Sequence, residues 1–304
     1  MNHRTLTAST ALLLTVPPLL WAGNAIVGRL VREAVPPMTL NLLRWSIALL
    51  ILLPLGRAML RSGSGLWRDW RRYSLLGLLG VGLYNSLQYL ALQTSTPINV
   101  TLVAAGMPVW MLLVGALFFG MPARPRQLAG AALSIAGVLL VLSRGEWRQL
   151  AALRLVAGDG YMIVATISWS FYSWLLLHSS TLQPSERPQI RAGWADFLLA
   201  QVLYGVLWSG VLAGVEWRVK EVHIDWSWNV AAALLFVATG PAVIAMRCWG
   251  AGVQRAGPTV GAFFTNLTPL FAALMSSAFL GELPHLYHVA AFALIVGGIA
   301  WSSR

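Results

Sequence analysis

The stretch QTSTPINVTLVAAGMPVWMLLVGALFFGMPARPRQLAGAALSIAGVLLVLS at residues 93–143 recurs without a gap as QRAGPTVGAFFTNLTPLFAALMSSAFLGELPHLYHVAAFALIVGGIAWSSR at residues 254–304. Gln93, Pro97, Pro108, Phe118, Gly120, Ala132, Leu133 and Gly137 meet Gln254, Pro258, Pro269, Phe279, Gly281, Ala293, Leu294 and Gly298, each pair 161 residues apart. Helix-breaking Pro and Gly are rare in apolar runs, so their coincidence marks a duplication. Both copies are too apolar to be anything but membrane-embedded. An internal repeat in an all-helical membrane protein is the usual basis of carriers that open one site to either side in turn.

Composition agrees. The chain of 304 residues is 58% hydrophobic and 10% charged, with a mean hydropathy of +0.69. A soluble domain carries about 25% charged residues, so the solvent of this chain is the lipid bilayer. The formal net charge of +11 does not signal nucleic acid. The cations are Arg except for Lys220, and they sit between apolar runs, where the positive-inside rule expects them. Cys248 is the only cysteine, which excludes an intramolecular disulfide and a thiolate metal cluster.

A bilayer-spanning helix needs about 20 mostly apolar residues. Ten such stretches can be marked, at 8–28, 38–58, 73–93, 97–119, 126–143, 157–178, 194–215, 228–249, 257–280 and 285–302. The fold class expected is an all-α polytopic membrane protein, with residues 1–150 forming one five-helix repeat and residues 151–304 the second. Counted by alternate loops, thirteen cations fall on one side and seven on the other, with the segment 59–72 contributing most of the difference. Both termini are therefore expected in the cytoplasm. Five is odd, so the second repeat enters the membrane the opposite way round.

Carrier sites tend to lie at mid-depth where helices are interrupted. Pro108 and Pro269 interrupt spans four and nine symmetrically and are the candidate hinges. Pro241 interrupts span eight, its partner by the same offset being Gly80, and Pro17-Pro18 is expected to break span one. Polar side chains within spans, Asn24, Gln88 and Asn266 among them, should face the bundle interior. Tyr84 and Gln88 stand one helical turn apart on one face, a ring and an amide suited to a small amphipathic solute. Of the tryptophans within spans, Trp169 is the best cavity candidate, with Tyr172 three residues on.

No Asp or Glu lies near the centre of any span, which points to neutral or zwitterionic solutes. Arg44, within span two, is read as holding helix ends or carbonyls, and Arg247 as an end-of-span cation whose side chain reaches for water. His285 and His288 lack further ligands for a metal. There is no phosphate-binding loop, no HExxH or GxSxG motif and no carboxylate pair, so no catalytic residue, cofactor or metal is expected.

Trp21 and Asn24 in span one, Arg44 in span two, Tyr89-Leu90-Ala91-Leu92 before Pro97, the two span prolines and Gly281-Glu282 resemble the drug/metabolite transporter superfamily, EamA-type. The likeness covers the whole chain and is nearest to bacterial exporters of amino acids, aromatic ones included. It implies a central cavity lined by both halves, with Tyr84 and Trp169 at positions of cavity aromatics, in the cell inner membrane. The resulting expectation is a secondary transporter of amino acids or similar metabolites, with Asn24, Tyr84, Gln88, Met107, Trp169, Tyr172 and Asn266 contacting solute. Its partners are a small-molecule substrate and the lipid bilayer, not nucleic acid, and its oligomeric state is not legible. The alternatives are an exporter of nucleobases or drugs and, from another class, a membrane-embedded enzyme or lipid-handling protein.

Overall fold

A computed structural model describes residues 6–95, 97–146, 148, 154, 156–181, 193–219, 221–280 and 285–303. Arg4, Trp147, Arg187, Arg191, Lys220, Gly281, Glu282 and Arg304 lie outside the described residues. Among the described residues the regular elements are all helical. They are α1 (Ala8–Leu30), α2 (Pro37–Leu55), α3 (Trp70–Thr94), α4 (Pro97–Ala105), α5 (Met107–Phe118) and α6 (Pro125–Leu142). The chain continues as α7 (Ala157–Thr181), α8 (Trp194–Val219), α9 (Trp228–Ala256), α10 (Pro258–Thr265), α11 (Leu267–Leu280) and α12 (Leu286–Ser302).

Among the described residues, eight helical runs are long and apolar enough to cross a bilayer: α1, α2, α3, α6, α7, α8, α9 and Pro258–Met275. α4 and α5 meet at a bend of 41° and make a ninth if they cross as one. α12 is apolar but has only 17 residues. The chain is thus a multi-pass, all-helical membrane protein.

Proline places the helix starts. Pro37, Pro108, Pro125 and Pro258 all stand at the first or second position of their helices, where a missing N–H costs nothing. For the same reason the breaks in spans four and nine fall just ahead of Pro108 and Pro269, at Gly106 and Asn266. Pro17-Pro18 behaves differently. α1 runs through both without interruption, so the expected break in span one does not occur. Lost backbone bonds of this kind are tolerated within membrane helices when neighbours compensate.

α3 and α9 each carry one stretch of wide, π-type turn, at Leu78–Leu83 and Ala238–Ile244. The two stretches match by the 161-residue offset of the repeat. Such turns leave carbonyls without their usual helical partners, and other helices supply donors. Ser168 Oγ donates to the Leu79 carbonyl (3.0 Å), Asn41 Nδ2 to the Val81 carbonyl (3.1 Å) and Trp21 Nε1 to the Pro241 carbonyl (3.4 Å).

Two antiparallel helix pairs frame the bundle. α8 flanks α2 and holds both its ends. At one end the Glu216 carboxylate accepts the Met38 and Thr39 backbone N–H groups at 3.2 and 2.9 Å, and at the other Asp196 accepts the Met59 N–H at 3.1 Å. α6 and α12 cross through glycine. A Cβ on Gly298 would stand 2.7 Å from the Gly130 carbonyl, and one on Gly137 would stand 2.9 Å from the Ala291 carbonyl. Shifting each residue by 161 turns the second contact into the first, so the crossing is self-complementary like a two-fold interface.

Candidate functional site

The interrupted helices surround a central cavity of about 110 Å³. α1 contributes Trp21 and Asn24, α2 Arg44 and Trp45, and α3 Tyr84, Asn85 and Gln88. Thr101, Ala104, Ala105 and Met107 enter from α4 and α5, Trp169 from α7, and Pro241 and Met246 from α9. The break between α10 and α11 adds Thr265, Asn266, Thr268 and Pro269. Four lining pairs, Asn85 with Met246, Ala104 with Thr265, Ala105 with Asn266 and Met107 with Thr268, are related by the repeat offset. In each pair one member is polar and the other apolar.

One wall is aromatic and centred on Trp169, whose ring centroid lies 5.3 Å from Trp21, 5.0 Å from Tyr84, 5.0 Å from Tyr172 and 5.5 Å from Trp249. Most of these rings are also pinned by hydrogen bonds. The Tyr172 hydroxyl donates to Gln201 Oε1 at 3.0 Å, and Trp249 Nε1 donates to Ser173 Oγ at 3.3 Å. Trp169 Nε1 is buried without a partner. A rigid ring surface of this kind receives apolar or aromatic groups.

The other wall is polar and charged. Arg44 is the eighth of nineteen residues in α2, close to mid-span, and is 1% exposed. Its Nη1 donates to Asn24 Oδ1 (3.2 Å), Asn85 Oδ1 (3.1 Å) and the Tyr89 hydroxyl (3.2 Å), all neutral acceptors. The Tyr89 hydroxyl in turn donates to Asn24 Oδ1 at 3.3 Å. The guanidinium carbon sits 5.1 Å from the Trp45 ring centre. Among the described residues, Nε and Nη2 make no hydrogen bond, Arg44 makes no ion pair, and no lining residue is acidic. A cation at this depth costs about 2.5–3.5 kcal/mol even on the most permissive insertion scale. Helix packing alone does not demand such an expense.

Six of the seven residues expected to contact solute, Asn24, Tyr84, Gln88, Met107, Trp169 and Asn266, line this one cavity. Tyr172 does not; it is fully buried and backs Trp169, its hydroxyl engaged by α8. Of the two hinge prolines, Pro269 lines the cavity and Pro108 stands one residue behind Met107. Arg44 lies elsewhere than the sequence reading expected. Read as a brace for helix ends or carbonyls, it instead faces the cavity and holds side chains, not carbonyls. Its position inside an apolar span was the available signal, since an intramembrane ionisable residue is a functional candidate by default. Arg247 is exposed, its guanidinium 4.3 Å from the Trp194 ring centre, and stays away from the cavity.

A solute-sized cavity enclosed by broken membrane helices, with polar groups converging on it, defines a membrane transporter. The chain belongs to the EamA-like transporter family, which it matches over residues 8–143 and 156–304. An uncharacterized transporter of Archaeoglobus fulgidus is 29% identical over 296 residues, 96% of each chain. The aromatic amino acid exporter YddG of Ancylobacter novellus is 26% identical over 282 residues, covering 93% of this chain and 92% of its own. One crystal structure shares the fold with a TM-score of 0.73 at 23% identity, covering 97% of this chain and 96% of that one. The protein is a multi-pass membrane transporter of small molecules, not an enzyme.

Proposed function

We propose that this transporter exports amino acids, aromatic or neutral, or similar small metabolites across the inner membrane by alternating access. Two five-helix halves, residues 1–150 and 151–304, are inverted relative to one another and rock about the cavity. The observation that carries this reading is the cavity lined in offset-related pairs by both halves. The α6–α12 crossing supports inversion. Its partners are exchanged by the repeat offset yet run antiparallel, so the two-fold axis relating them lies across the helices, in the membrane plane.

Pro108 and Pro269 serve as hinges, since each opens the second segment of a broken span and leaves a freed carbonyl behind it. Asn24, Tyr84, Gln88, Met107, Trp169 and Asn266 contact the solute. The arginine-rich segment 59–72 supports a cytoplasmic position for both termini. The aromatic wall supports an apolar or aromatic body on the cargo, and the named activity of the Ancylobacter novellus relative agrees with that. The decisive experiment is efflux from liposomes loaded with radiolabelled phenylalanine, tryptophan or leucine, with and without a pH gradient. Release faster than from protein-free liposomes is expected; release at the protein-free rate for all three overturns the amino-acid reading.

A further inference from the structure

Arg44 raises a question of charge balance that the transport reading does not answer. The guanidinium is almost fully buried, and among the described residues it is held only by neutral oxygens. Its Nε and Nη2 are left with donors unspent, and Trp45 Nε1 and Trp169 Nε1, on the same cavity, are buried donors without partners. Buried polar groups are normally satisfied, and an orphan one costs free energy. Four unspent donor groups and one uncompensated cation, all on residues that line a single cavity, are the complement of an anion.

The opposite pattern appears at the α10–α11 break. Asn266 is 1% exposed; its Nδ2 donates to Ser134 Oγ at 2.9 Å, and its Oδ1 is buried without a partner. Thr265 and Thr268 flank it on the cavity. This is an acceptor with no charge of its own, suited to an N–H donor on the cargo. The ring surface of Tyr84 and Trp169 lines the same cavity.

We infer that Arg44 is the carboxylate anchor of this transporter and that its cargo is a small amphipathic carboxylate. The carboxylate docks on Arg44 Nε and Nη2, the fork geometry that matches two carboxylate oxygens. The apolar body lies on Tyr84 and Trp169, and an ammonium or other N–H group donates to Asn266 Oδ1. Zwitterionic amino acids with large apolar side chains meet all three conditions. Nucleobases and cationic drugs lack the anion and are excluded as preferred cargo. The inference rests on the proposed transport function and narrows its substrate class.

The test is a binding panel on the purified full-length protein, read by displacement of radiolabelled L-phenylalanine and, independently, by ligand-induced shifts in thermal unfolding. The probes are L-phenylalanine, 3-phenylpropionate, L-phenylalaninamide and 2-phenylethylamine, which keep the ring and vary only the charged groups. The two carboxylates are expected to bind at least roughly tenfold more tightly than the amide and the amine, the worth of one charge-assisted hydrogen bond. In Arg44→Gln that preference should vanish, and Arg44→Lys should retain part of it, a result that also guards against simple misfolding of the first variant. Equal binding of all four probes, stronger binding of the amine, or binding of no carboxylate overturns the inference. If carboxylates bind selectively but no amino acid leaves liposomes, the anchor stands and the amino-acid export reading falls. If phenylalanine is exported by Arg44→Gln at the wild-type rate, export stands and the anchor falls.

Discussion

α3 and α9 are the same device made twice with opposite chemistry. Both are long membrane helices, both are widened at stretches matched by the 161-residue offset, and both send the turn after the widening into the cavity. In α3 that turn carries Tyr84, Asn85 and Gln88; in α9 the offset-matched residues are Ala245, Met246 and Trp249. Backbone interruptions are shared because they set how the bundle bends. The side chains differ, so the two turns present unlike groups to the cavity. Asn85 holds the Arg44 guanidinium at 3.1 Å, whereas Trp249 packs against Trp169. The two helices thus share their backbone interruptions and differ in the side chains they bring to the site.

The frame is the first place to break this comparison, and the largest effect belongs there. A methyl group on Gly298 or Gly137 would collide with the facing backbone at under 3 Å, where no flexible side chain can yield. Gly298→Ala and Gly137→Ala should each destabilise by about 1–3 kcal/mol, the range of core overpacking. Thermal unfolding in detergent would show it, and the two losses should be similar because the contacts are exchange-related. A large loss at one and none at the other would contradict the two-fold crossing.

Exchanging chemistry across the offset gives an intermediate effect. Asn85→Met removes a hydrogen bond to a buried cation, worth about 1.5–3 kcal/mol, so cargo affinity should fall at least tenfold by that measure. Met246→Asn, its mate in the other half, breaks no such bond and should alter affinity by less than about threefold, or under 0.7 kcal/mol. Equal losses would mean that the walls are not specialised.

A third contrast, whose smallest single effect is that of Tyr172→Phe, separates Trp169 from Tyr172. Trp169→Ala removes cavity wall and should weaken binding clearly, by tenfold or more if the ring contact is worth the upper end of about 0.5–1.5 kcal/mol plus its buried area. Tyr172→Phe keeps the ring that backs Trp169 and loses only the bond to Gln201. It should leave binding within about twofold, with the cost of one neutral hydrogen bond appearing in stability instead. Direct binding assays on both variants decide it.

These contrasts also mark what could be read without a structure. The helix ranges were legible because apolar length is a local property and because Pro37, Pro125 and Pro258 mark helix starts by backbone chemistry alone. The breaks at Gly106 and Asn266 were legible through Pro108 and Pro269. Pro17-Pro18 misled, since whether a proline interrupts a membrane helix depends on what surrounds the freed carbonyls. The widened turn in α3 contains no proline; its only trace was the run of Gly77, Gly80 and Gly82. Within the site, Tyr84 and Gln88 were found by helical spacing, whereas the engagement of the Tyr172 hydroxyl by Gln201, 29 residues away, was not visible in any local pattern.

By itself, then, the sequence determined that this chain lives in a membrane, is helical, and carries helix interruptions matched at a spacing of 161 residues. Those properties follow from hydropathy, residue spacing and the backbone limits of Pro and Gly, all of them short-range. Only the tertiary structure decided where Arg44 lies and what it touches. A lone arginine in an apolar helix can reach for water, brace a neighbour or face a cavity. The choice rests on which groups other helices bring to it, here Asn24 from 20 residues and Asn85 from 41 residues away, and on the acidic group that none of the described residues brings. Charge balance is a property of the assembled site, so the clue to the cargo emerged only once the helices were packed.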